Sequence, residues 1–183
     1  MGQYYMAVLK SSNGRLKGYE SLGSLKLMEH SWFGNYLVNA VCNDLMNKTY
    51  RVGWVGDYAD QDDFNYDKKM VDFMKANINI KNVNGKRYEF DPTDKVLLNH
   101  TKKQKIHLGE YYKNNEYEDW GDGWCIHPLP LLTAIGNGKG GGDYFGEYQE
   151  NIGQWANDKL SIILEQEDNF DYEILEVHFR EAL

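Results

Sequence analysis

The feature that most constrains the fold is at the start of the chain: two runs of aromatic and branched residues, Tyr4–Lys10 and Arg15–Glu20, separated by Ser11-Ser-Asn-Gly14. Asn-Gly supplies the positive φ angles of a tight hairpin turn, so the spacing predicts two antiparallel strands and commits the N-terminus to a sheet. A second hairpin is expected where Val96–Leu98 and Lys105–Leu108 flank Thr101-Lys-Lys103. Further strands are expected at Thr49–Val55, with Tyr50, Val52 and Trp54 on one face, and near the end at Lys159–Leu164 and Tyr172–Phe179.

Between these lie two helical patterns. Leu25, Met28, Trp32, Phe33, Tyr36, Leu37, Ala40, Val41 and Leu45 recur at helical spacing, predicting one helix of roughly 20 residues capped by Ser24. Gly34 interrupts it, which implies close packing at that point. Asp63–Asn77 predicts a second helix with Tyr66, Met70, Phe73 and Met74 inward. Glu110–Trp124 has no period and is expected to be a surface loop. Pro130 and Gly136 bracket a short helix at Leu131–Ile135. No linker or repeat divides residues 1–183. The expected fold is a single α+β domain, mainly an antiparallel sheet with two principal helices packed on one face.

Composition narrows the function classes. A net charge of −8 opposes general binding to phosphate backbones and favours a basic partner. Cys42 and Cys125 are far apart and lack metal or redox spacing, so they are expected to be reduced. No stretch approaches a membrane span. The N-terminus lacks a basic region followed by a long apolar run, so a cytoplasmic protein is expected.

Two segments stand out as candidate sites. Gly136-Asn-Gly-Lys-Gly-Gly-Gly-Asp143, running on to Gly146, is dense enough in glycine for backbone amides to converge on an anion. It departs from a phosphate-binding P-loop at Thr133 and Gly140. Gly138, Lys139, Gly140, Gly141 and Asp143 with His127 form the ligand-binding alternative, in which a His127/Asp143 pair could exchange protons. The acidic stretch Asp57, Asp60, Asp62 and Asp63, together with Glu118 and Asp119 and interleaved tyrosines, could instead present a negative face to a basic groove. Its spacing does not fit a calcium loop, and no histidine pair has metal-ligand spacing. Glu29-His30 could line a pocket with Ser31 and Asn35. No residue is singled out as catalytic, and no cofactor or metal is expected.

The segments Lys26-Leu-Met-Glu-His-Ser31, Gly34-Asn35, Arg51–Ala59, Leu98–Lys103 and His127–Gly138 resemble a group of small uncharacterised proteins carried by phages, prophages and mobile elements of gut bacteria. The resemblance spans most of the chain and brings no catalytic motif with it. In size, acidity and genomic company that group is similar to anti-defence proteins, above all anti-CRISPR inhibitors of Cas9 (type II-A). The resemblance implies a protein partner, Cas9 with its guide RNA, met inside the bacterial host, with no sequence-specific nucleic-acid binding by the chain itself.

Overall fold

In a computed structural model, which describes residues 1–21, 25–115 and 125–181, the first hairpin forms as expected. Strands β1 (Tyr5–Lys10) and β2 (Leu16–Glu20) pair antiparallel with Ala7 opposite Tyr19. Gly14 takes φ +82° in the turn. On its other side β1 pairs antiparallel with β3 (Tyr50–Gly56), Tyr5 opposite Gly56 and Lys10 opposite Arg51.

Strand β1 is apolar on both faces, which decides the layering. Tyr5, Ala7 and Leu9 enter one core with Val52, Trp54 and helix α1 (Tyr36–Asn47), whereas Met6, Val8, Val55 and Ile135 enter a second core with helix α2 (Lys68–Ala76). The sheet is therefore covered on both faces, not one.

Helix α1 is shorter than its sequence pattern. Gly34 sits at φ +87°, and nothing lies within 4 Å of where a Cβ would be. Its role is a left-handed bend, not close packing. The chain turns there and Asn35 starts the helix afresh, its side chain accepting from the amides of Leu37 and Val38. Upstream, among the described residues, Leu27–Glu29 winds into one 3-10 turn and no further helix forms. The expected cap, Ser24, lies outside the described residues. Because space is free at Gly34, Gly34→Ala should cost only backbone strain, about 1 kcal/mol, read as a small drop in melting temperature with unchanged folded-state circular dichroism. Helix α2 carries Met70 and Met74 buried, with Tyr66 and Phe73 against the same core. Asp67 caps it, so it begins later than Asp63.

Strand β4 (Ile80–Asn82) joins β2 in parallel. Strands β5 (Lys95–Asn99) and β6 (Gln104–His107) form the second expected hairpin. Where a loop was expected from Glu110, helix α3 (Leu108–Asn115) buries Leu108 and Tyr111. Helix α4 (Pro128–Leu132) lies earlier than predicted, and Thr133 rather than Gly136 ends it. Ala134–Ile135 becomes β7, parallel to β3. Strand β8 (Lys159–Leu164) falls where expected, but β9 contains only Glu173–Ile174.

The strand order is β4-β2-β1-β3-β8-β5-β6-β9, with β7 also beside β3. Three of the pairings (β2/β4, β3/β7 and β6/β9) are parallel. The α+β class holds, but the described chain is a nine-stranded mixed sheet with four helices, not two helices on an antiparallel sheet.

Candidate functional site

The glycine segment lies across the beginning of β1. The Gln3 amide donates to the Gly141 carbonyl at 3.2 Å, and the Gly141 amide donates to the Met1 carbonyl at 3.1 Å. A Cβ on Gly140 would stand 2.6 Å from the Gln3 nitrogen, so only glycine permits this approach.

Three amides of the segment do converge on an anion, and that anion is the chain's own. Asp143 Oδ2 accepts from the backbone N–H of Gly138 (2.8 Å), Lys139 (3.0 Å) and Gly140 (3.0 Å). The same oxygen accepts from Gln3 Nε2 at 2.9 Å, while Oδ1 accepts from Tyr5 Oη at 3.0 Å. Gln3, fully buried, also donates to the Gly136 carbonyl and accepts from the Tyr58 amide. Burial, then the neighbouring Asp143 carboxylate, pushes the Tyr5 phenol far above its usual range, so it stays a donor. The amides that sequence reasoning offered to a phosphate are thus spent on an internal carboxylate.

The Lys139 side chain joins the two candidate sites. Its Nζ lies 2.7 Å from Asp60 Oδ1 and 3.0 Å from Asp63 Oδ2. Partial burial of this ammonium works against its charge, but Asp60 and Asp63 outweigh it and raise its pKa. The hydrogen bond from Lys139 in turn lowers that of Asp60. The acidic loop is also braced internally: the Asp60 amide donates to Asp63, and the Asp62 amide to Asp60. Asp57 exchanges backbone and side-chain bonds with Tyr4. Tyr4 (40%) and Phe64 (75%) stand exposed beside these carboxylates. Phe64, Asp63, Gly136 and Asn137 share the wall of a cavity of about 190 Å³. Glu118 and Asp119 lie outside the described residues.

His127 does not pair with Asp143; no hydrogen bond joins them. Its Nδ1 accepts the Leu129 amide at 3.1 Å as the cap of α4, which leaves the ring proton on Nε2, 3.6 Å from Cys42 Sγ. Burial drives His127 down to about 3 and the Cys42 thiol well above its ordinary value. A thiolate–imidazolium pair would need the opposite shifts, so this contact is structural. His30 is fully buried as well, and so lines no open pocket with Ser31 and Asn35. Its Nε2 accepts from Trp54 Nε1 at 2.6 Å, and Nδ1 finds no partner at hydrogen-bond distance among the described residues. Burial lowers His30 to about 3, and the Lys26 backbone nearby offsets only part of this.

Two features escaped sequence reasoning. His100 contacts Ser161 Oγ through Nε2 at 2.7 Å and Tyr172 Oη through Nδ1 at 3.0 Å, tying β8 to the C-terminal segment. The partners lie 61 and 72 residues away, so no local motif could show them. Ser161 is buried, which suits a brace better than a nucleophile. The second is a basic concavity at the opposite end of β1, where no short motif gathers its residues. No protein-family model, curated protein or solved structure matches this chain, and function rests on the site's own chemistry. Among the described residues, no helix is long and apolar enough to cross a membrane.

Proposed function

We propose that this is a binding protein that docks its acidic end into a cationic nucleic-acid channel of a bacterial defence nuclease, guide-loaded Cas9 being the first partner to test, and so blocks DNA recognition or cleavage. The observation that carries this reading is the loop Asp57–Asp63, where Asp60 and Asp63 share the Lys139 ammonium while Asp57 and Asp62 make no ion pair among the described residues. Carboxylates presented this way stand in for phosphates toward a basic groove. Exposed Tyr4 and Phe64 supply apolar anchors among them, as interface hot spots require. The loop is braced by its own hydrogen bonds and held from below through Gln3 and Asp143, so little ordering entropy is lost on docking. A nucleotide at the glycine segment would have to displace Asp143 from three amides, and this reading therefore puts the site on the acidic loop.

Charge reversal tests it. Asp60 and Asp62 are both exposed, so Asp60→Lys with Asp62→Lys should leave the sheet and its two cores intact while removing the Lys139–Asp60 pair and one brace of the loop. In titrations against guide-loaded Cas9 at low salt, the double variant should bind about tenfold or more weakly, a change of ~1.4 kcal/mol or greater. Wild-type affinity should fall as salt rises. Absence of a salt-sensitive complex with the wild-type protein would remove this reading.

A further inference from the structure

The register of the central strands separates charge along the molecule. Tyr5 and Gly56 mark the acidic end of β1 and β3, and Lys10 and Arg51 mark the other, about 17 Å away at the usual strand rise. At that far end the first hairpin turn, the start of β3, the first turn of α2 and the start of β8 enclose a concavity of about 640 Å³. Lys10, Lys48, Arg51, Lys69 and Lys159 line it, and among the described residues no carboxylate does. The hydroxyls of Ser11, Ser12 and Thr49 stand among them.

This clustering runs against the composition. Acidic side chains outnumber Lys and Arg by 28 to 20, so a lysine placed only for solubility would readily meet a carboxylate. Lys10 does, at 3.3 Å from Asp67, and Arg51 donates to the Asn157 carbonyl at 2.7 Å. Lys48 lies over the Tyr50 ring at 5.7 Å, and Lys17, which covers the same ring at 4.5 Å, is paired with Asp44. Lys48, Lys69 and Lys159 make no ion pair among the described residues, although all three are exposed. Gathering unpaired cations around one hollow costs Coulomb repulsion that a bound anion would relieve.

We infer that this concavity binds a small ligand carrying a chain of phosphates, held by Lys48, Lys69 and Lys159. Its volume lies in the range of small-molecule sites, roughly 300–1,000 Å³. A compact ligand ends inside the basic hollow, within about one Debye length (~8 Å) of its cations, whereas a long nucleic acid would run on past it over a chain whose net charge is −8. The site is separate from the acidic loop and does not depend on partner docking.

Calorimetric titration of the full chain with inorganic tripolyphosphate in low salt tests this, beside ATP and a single-stranded oligonucleotide. Saturable one-site binding of tripolyphosphate is expected. The triple variant Lys48→Ala, Lys69→Ala, Lys159→Ala should lose about tenfold or more in affinity with an unchanged melting transition, because all three side chains are exposed. If the triple variant folds poorly, Lys69→Ala alone should still weaken binding about threefold. ATP binding more tightly than tripolyphosphate assigns a nucleotide, and equal binding assigns a bare phosphate chain. No saturable binding, an affinity unaltered by the substitutions, or tighter binding of the oligonucleotide would overturn the inference.

Discussion

Asp143→Ala should lower the melting temperature by roughly 10 °C. The substitution leaves five donors, the amides of Gly138, Lys139 and Gly140 with Gln3 Nε2 and Tyr5 Oη, without their common acceptor. Orphaning buried donors of a charge-assisted network costs about 3–5 kcal/mol, and in a chain of this length each kcal/mol moves the transition by ~2–4 °C. Asp143→Asn should recover only part of the loss: its carbonyl oxygen can take the three amides and Gln3 while its NH₂ donates to the Tyr5 hydroxyl, but the charge that strengthened these bonds is gone. The damage should also spread along a defined route. Gln3 links Asp143 to the Tyr58 amide, so hydrogen exchange at Tyr58 and Gly138–Gly140 should accelerate together, ahead of the β5–β6 hairpin. A variant melting within ~2 °C of wild type, with Tyr58 still protected, would show that the carboxylate does not anchor this network.

The second large effect is acid instability set by two histidines. Burial holds His30 and His127 at about 3 in the folded chain, whereas both return to about 6.5 on unfolding. Below 6.5 the unfolded chain therefore binds more protons. The neutral, folded arrangement has its full stability above that pH and loses it as pH falls toward 3. At pH 5 each histidine costs ~2 kcal/mol, so the pair removes ~4 kcal/mol from a typical total of about 5–15. Urea midpoints measured from pH 7 down to pH 4.5 should fall steeply. The variants His127→Asn, which keeps a capping acceptor for Leu129, and His30→Gln, which keeps one for Trp54, should each flatten that slope. Both are expected to be less stable at neutral pH because they disturb a packed interior, so the slope and not the midpoint is the readout. Two variants with the wild-type slope would show that these histidines do not set the acid limit.

What the sequence revealed divides along physical lines. Both hairpins were readable because Asn13-Gly14 and Thr101-Lys-Lys103 encode their turns locally. The inward face of α2 was readable from its period. The two-sided sheet was also written in the chain, since the unbroken apolar run Tyr5-Met-Ala-Val-Leu9 cannot leave one face in water, yet helix counting alone suggested a single covered face. The start of α1 was misread because a helical apolar stripe continues through Gly34, where only φ sign decides. The parallel pairings of β7 and β9 involve two residues each, too short for any propensity to declare.

At the candidate site, the anion-seeking habit of the glycine segment was legible, and so was its anion in principle, for Asp143 closes the same motif. In the fold the amides of Gly138, Lys139 and Gly140 are taken by that internal carboxylate. The bridge from Lys139 to Asp63 crosses 76 residues, and the His127–Cys42 contact crosses 85; these are products of the folded sheet, invisible to local pattern. The five cations of the basic hollow are spread from Lys10 to Lys159 and meet only because β1, β3 and β8 are neighbours.

We propose that the acidic end acts by occupying a cationic channel, and DNA cleavage by guide-loaded Cas9, followed as this protein is added before the DNA, is the decisive assay. Cleavage should fall with added protein, reach its minimum near equimolar ratio, and return with rising salt or with the Asp60→Lys, Asp62→Lys variant. Cleavage unchanged at about a tenfold molar excess of folded wild-type protein in low salt would contradict the claim.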